Sequence, residues 1–434
     1  MARCLFVALW AASSLWVVTV LAAPLAAQPQ QPPVRLERAT VEVPENELLD
    51  VGIQVLSPGL PEGTVKELEE KGIFADVRRS EARFVAVRLA TTLQETGYWG
   101  AVRVVPNGVT PLDLAVTGTV VHSTGLRLEL DVEAVDVAGR RWLKKRYKRF
   151  ADPAGYDTAA LDRMDPYQDL YDKVANDLLA ARRRAQDRLG EIRRVSDLRF
   201  AADLAPAAFD HHLERNNRGH WKLESLPADG DPMVARLRQI RERDYLLVDA
   251  LHQYYVDFSR QMATPYGEWR MFSFEEELAL RKLRREMWAK RIGGIVAIVG
   301  GIVAEGDSRT SSVARQGAIV AGELLLRDSF GKSAEARLHR EAINELAASF
   351  EAEVQPMVVE IEGETLRLTG SAETQYAEWR RLLSRLWQEE TGAPVDPNTG
   401  ETVELGAPVT AGETTDPSSV AAATGDGDGD GSGG

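Results

Sequence analysis

The chain has one cysteine, Cys4, and it lies among the first few residues. If an export signal is cut after Ala27, the remaining protein has no thiol. That excludes disulfides, thiol catalysis and thiolate metal sites together, so stability must come from packing. Histidine is scarce too: there are six in 434 residues, and none stands in the HExxH or HxH spacing of a zinc site. The best metal candidate, Asp210, His211, His212, Glu214 and His220, sets adjacent imidazoles in different directions on any regular element. We read it as polar surface and assign no metal. Neither GxSxG nor GxxxxGK[ST] occurs, so no catalytic residue and no cofactor is assigned.

Positive charge is also in deficit. A formal net charge of -14 argues against a nucleic-acid partner. Runs long enough to span a bilayer are missing from the body of the chain. Ile292–Ala304 is 13 residues long and Gly317–Leu326 is ten, both short of the ~20 a spanning helix needs. The uncharged run from Leu5 to Ala27, after Met1-Ala-Arg-Cys4, reads as an export signal with small residues at the cut.

What is present falls into successive segments. After the signal (1–27), residues 28–39 are a Pro/Gln-rich spacer, with order expected from Ala39. Residues 40–150 read as β-α-β-β-β. Leu48–Leu56 is the first strand, and Arg79–Gln94 is a helix with Ser80 as its cap. Trp99–Val105, Asp113–His122 and Leu126–Val137 are strands, and Trp142–Phe150 extends the sheet. Residues 151–291 are helical: Tyr167–Arg193, then Met233–Met262, then Phe274–Arg291. Residues 292–327 form a glycine-rich apolar helical hairpin. There Gly293, Ala297, Gly301, Ala318 and Gly322, at helical spacing, let two helices approach. Residues 328–391 hold a helix, a β-hairpin around Glu362-Gly363 and a last helix. The acidic tail, 392–434, has no lysine or arginine and cannot bury enough apolar area to order itself. The fold class is α+β.

Within 40–150, the phrases Val51-Gly-Ile-Gln-Val-Leu56 and Leu114-Ala-Val-Thr-Gly-Thr-Val-Val-His-Ser-Thr-Gly125, in this strand order, carry a resemblance. The segment resembles small α/β domains of bacterial envelope proteins. These are the amino-terminal domain of the Tol-system propeller protein, the curli-secretion lipoprotein and the auxiliary lipoproteins of lipid-export ABC transporters. The resemblance implies a docking module without catalytic residues. Cys4 precedes the apolar run, which departs from the acylated members.

One stretch suggests a binding face. Arg140, Arg141, Lys144, Lys145, Arg146, Lys148 and Arg149 interleave with aromatic residues, a pattern suited to lipid headgroups, cell-wall polymers or a partner. It equally suits an edge strand guarded against aggregation. The expectation is an exported envelope protein, periplasmic or outer-membrane associated. It would act as a non-enzymatic binding or assembly factor on an envelope protein or on itself, or at a membrane surface or wall polymer. The alternatives are a cell-wall or glycan-acting hydrolase and a protein inserted in the membrane through the 292–327 hairpin.

Overall fold

The computed structural model describes residues 31–107, 109, 112–156, 165–301, 334–352, 357–361 and 364–391. The signal, the acidic tail, Ala318 and Gly322 lie outside them. The architecture is α+β, with a five-stranded sheet, a large helical region and a small strand-and-helix unit at the C-terminal end.

Strands β1 (Val51–Gln54), β2 (Val102–Val105), β3 (Leu114–Ser123), β4 (Arg127–Asp136) and β5 (Arg141–Phe150) form one sheet in the order β2-β1-β3-β4-β5. β1 is parallel to both neighbours, whereas β3, β4 and β5 are antiparallel. The sheet order sets β1 between β2 and β3, so the connection from β2 to β3 passes from one side of β1 to the other, and Leu112 packs against Gly52 of β1. A Cβ on Gly52 would lie 2.8 Å from the Leu112 side chain, so the glycine makes room for that side chain.

Helices α1 (Val65–Glu70) and α2 (Ala75–Glu95) connect β1 to β2. Thr64 and Glu67 close a capping box on α1, so Thr64→Ala should cost about 1 kcal/mol, read from urea midpoints. Ser80, expected as a cap, is instead buried inside α2. That helix starts four residues before the expected Arg79, because Phe74 and Val77 pack inward, with Phe74 edge-on to Trp269. Apolar burial set this boundary, and a capping side chain did not.

The expected helix Tyr167–Arg193 is two helices, α3 (Gln168–Arg184) and α4 (Leu189–Leu204), parted by a 3-10 turn at Gln186–Arg188. After the short α5 (Pro206–Phe209), strands β6 (Leu213–Arg215) and β7 (Trp221–Leu223) form a small hairpin. The two helices expected at 233–262 and 274–291 are one, α6, Pro232–Gly301, 70 residues long with Pro265 inside it. Burial of Met262, Tyr266 and Trp269 on either side of the proline outweighs the missing hydrogen bond. Gly293, Ala297 and Gly301 thus ride on the last turns of α6. The chain closes with α7 (Ala334–Ala352), the hairpin β8 (Met357–Ile361) and β9 (Glu364–Leu368), and α8 (Ala372–Thr391).

One buried cluster runs from Leu36 to Trp387, so the segments 40–150, 151–291 and 328–391 share a core. The spacer differs from expectation. From Gln31 it is held: Val34 N–H donates to Asp169, Glu37 N–H to Asn176, and Leu36 is buried. Side chains of α3 satisfy an extended backbone that has no ladder of its own.

Candidate binding cleft

At the carboxyl end of β1 the chain must leave the sheet, and the residues that do so border an opening. Val55 and Ser57 continue the ladder irregularly, their N–H groups donating to Val105 O and Gly118 O. Gly118 admits Leu56 beneath it, because a Cβ there would lie 3.2 Å from Leu56 Cγ. Above this ledge lies a cleft of about 710 Å³. Its other walls are the first half of α2, Tyr255 on α6 and the start of α8 at Ser371–Glu373. The carboxyl end of parallel strands is where open α/β sheets bind ligands, and the volume lies in the usual range for such sites.

The lining mixes apolar surface with polar groups and carries charge of both signs. Arg79 pairs with Asp76 at 2.8 Å, and the Arg83 guanidinium lies 5.9 Å from the Phe258 ring centroid. Burial pushes the Tyr255 hydroxyl well above its ordinary value. Gln54, Asn107, Thr117 and Ser371 add hydrogen-bonding groups, and Glu373 is the only carboxylate among the described residues of the lining. This arrangement can bind and orient a ligand that offers both polar and apolar surface.

The basic stretch is β5, an edge strand, and the pleat divides it. On the outer side, Lys144, Arg146 and Lys148 pair across the strand with Glu133, Asp131 and Glu129 of β4. Arg141 also reaches Glu133, past a register shift at Ala134/Val135. On the inner side, Lys145 meets Asp177 and Arg149 meets Asp169, both on α3. Arg140 sits in the β4–β5 turn, its N–H donating to Asp136. Six of the seven bases therefore fall in two rows, and carboxylates of the fold already face those six.

A second, smaller pocket of about 260 Å³ opens at the amino ends of β1 and β3. Asp50 and Asp113 stand immediately before those strands, and Asp50 N–H donates to Asp113 Oδ2 at 2.9 Å. Asp50 also pairs with Arg103, which clamps Asp249 of α6. Burial raises the Asp113 carboxyl to about 6, with the Asp50 N–H opposing and the Asp50 charge adding to the rise. The folded carboxyl thus holds its proton to a higher pH than the unfolded one, which titrates near 3.8. The stability this contributes is complete below the unfolded value and is lost as pH rises through about 6. Asp113→Asn should therefore gain on the native chain by about 1–3 kcal/mol between about pH 4 and pH 7, read from urea midpoints. Parallel pH profiles for the two proteins would contradict the burial.

The histidine cluster does not converge. His211 and His212 stack with centroids 4.0 Å apart, and His212 Nδ1 bonds Ser225 Oγ at 2.8 Å. Among the described residues no group of three metal-binding side chains gathers. Sequence reasoning missed both pockets. Their lining residues are distant in the chain, and their only local sign is a polar residue at each strand end.

No family model, curated protein or solved structure matches this chain.

Proposed function

We propose that this protein is a non-enzymatic binding or assembly factor of the bacterial envelope. The observation that carries the proposal is the cleft at the carboxyl end of β1, walled by the sheet unit and by the start of α8. Its lining, apolar surface set with polar and charged groups, suits recognition. The apolar run before Gln28 supports export, and the strand order of residues 40–150 supports a docking role like that of the envelope domains it resembles. No helix among the described residues is long and apolar enough to cross a membrane, and the proposal needs none.

Filling the cleft tests this reading. The double variant Gln54→Trp, Thr117→Trp should keep the melting temperature and lose the partner recovered by crosslinking and pull-down from envelope fractions. Unchanged recovery would remove the cleft from the account. Finding the full chain only in the cytoplasmic fraction would remove the envelope.

A second reading, a glycan-acting hydrolase, draws on one observation. Asp113, raised to about 6 by burial, lies beside a second carboxyl, Asp50, in the smaller pocket, and glycoside hydrolysis uses a pair of carboxyl groups. Asp113→Asn separates the readings. A more stable protein with intact partner binding supports the first, and loss of a wall-degrading activity supports the second.

A further inference from the structure

The two edges of the sheet are treated differently. Along β2, α6 covers the outward backbone: Val104 N–H donates to His252 Nδ1 at 3.0 Å, and Arg103 grips Asp249. Along β5, no strand pairs beyond it among the described residues. β5 is ten residues long, which gives an edge of roughly 33 Å.

One group shows what that edge accepts. The Gln31 side-chain amide donates to Lys148 O and accepts from Phe150 N–H, each at 3.3 Å. A primary amide thus occupies the place of a neighbouring strand's peptide group. In an antiparallel ladder, outward backbone groups recur at every second residue. The register is unbroken from Phe150 to Leu143, so the backbones of Arg146 and Lys144 face outward in the same way, beyond the reach of Gln31.

Charge selects the occupant. Lys144, Arg146 and Lys148 have acids of β4 on one flank, and their side chains remain 65%, 59% and 48% exposed. A second copy pairing through its own β5 would set base against base, and like charges directly opposite are destabilising. An acidic strand would instead continue the alternation of acid and base.

We propose that the outer edge of β5, from Lys144 to Lys148, is a strand-addition site for an extended acidic segment of a partner protein. The proposal rests on the reading as a binding protein but uses a surface separate from the cleft, so filling the cleft should leave it intact.

The probe is a synthetic peptide as long as β5, alternating glutamate with valine, added to the full chain at low salt. We expect saturable binding by fluorescence anisotropy, with slowed amide exchange at Lys144, Arg146 and Lys148. Arg146→Pro removes an outward N–H without breaking a bond to β4, and it should weaken binding about tenfold or more. Should that variant misfold, Lys144→Glu with Lys148→Glu should weaken the glutamate peptide and favour its lysine counterpart. Equal binding of both peptides by the native chain, or no binding, would overturn the proposal. Doubling of mass in solution that Arg146→Pro abolishes would assign the edge to a second copy and overturn it too. Binding seen only after removal of residues 392–434 would assign it to the chain's own acidic segment, with the same consequence.

Discussion

Arg270→Met should lower the unfolding free energy by about 3 kcal/mol, the lower end of the loss on breaking a buried ion pair. Arg270 donates to both oxygens of Asp165 at 3.1–3.2 Å, and the Asp165 side chain has no solvent exposure. The guanidinium also lies over the Tyr266 ring, 4.5 Å from its centroid. Methionine fills the volume but takes from the buried carboxylate its bidentate partner. Arg88 remains 3.8 Å from Asp165, which holds the expected cost to the lower end. Adding Asp165→Asn to Arg270→Met should recover much of the loss, since both charges then go. The check is a pair of urea curves at neutral pH. A single-variant loss below about 1 kcal/mol would mean that the pair is hydrated.

The second large effect belongs to Gly125, where the β3–β4 turn presses into α6. A Cβ there would lie 2.9 Å from Phe274 Cα and closer still to Arg270 O. The turn is held from several sides: Gly125 N–H donates to Ser273 Oγ, while the Tyr156 and Tyr167 hydroxyls donate to Gly125 O and Thr124 O. Because backbone meets backbone, neither partner can rotate away. Gly125→Ala should cost the upper part of the about 1–3 kcal/mol typical of overpacking. Gly72→Ala is the control. Gly72 has φ +73° but nothing within 4 Å of an added Cβ, so only backbone strain of about 1 kcal/mol applies. Equal losses at the two positions would show that the turn does not contact α6.

These two sites explain what could be read from the sequence and what could not. Strand β4 was legible because one face is buried at every second residue, while β3 and β5 alternate only over part of their length. The last helix was legible from Trp379, Leu383 and Trp387 at helical spacing, all buried. The start of α2 was not, because a helix buried against both the sheet and α6 has weak amphipathicity and no polar cap. The continuity of α6 through Pro265 was hidden for a related reason, since tertiary burial overrode a local breaker. Among the candidate site residues, the basic stretch was recognisable as a strand but not as two rows. That division depends on which carboxylates β4 and α3 bring opposite, and those partners are 8 to 32 residues away. The cleft, assembled from Gln54, Asn107, Thr117, Tyr255 and Glu373, left no linear trace.

The central claim is that the cleft at the carboxyl end of β1 holds a partner in the envelope. Site-specific photocrosslinking in intact cells tests it most directly, with the photoreactive residue placed at Gln54 or Asn107 and, as control, at an exposed position outside the cleft. The expected result is a discrete adduct from both cleft positions, absent from the control and lost on filling the cleft with Thr117→Trp. Adducts of equal yield from cleft and control, or none from either cleft position, would contradict the account.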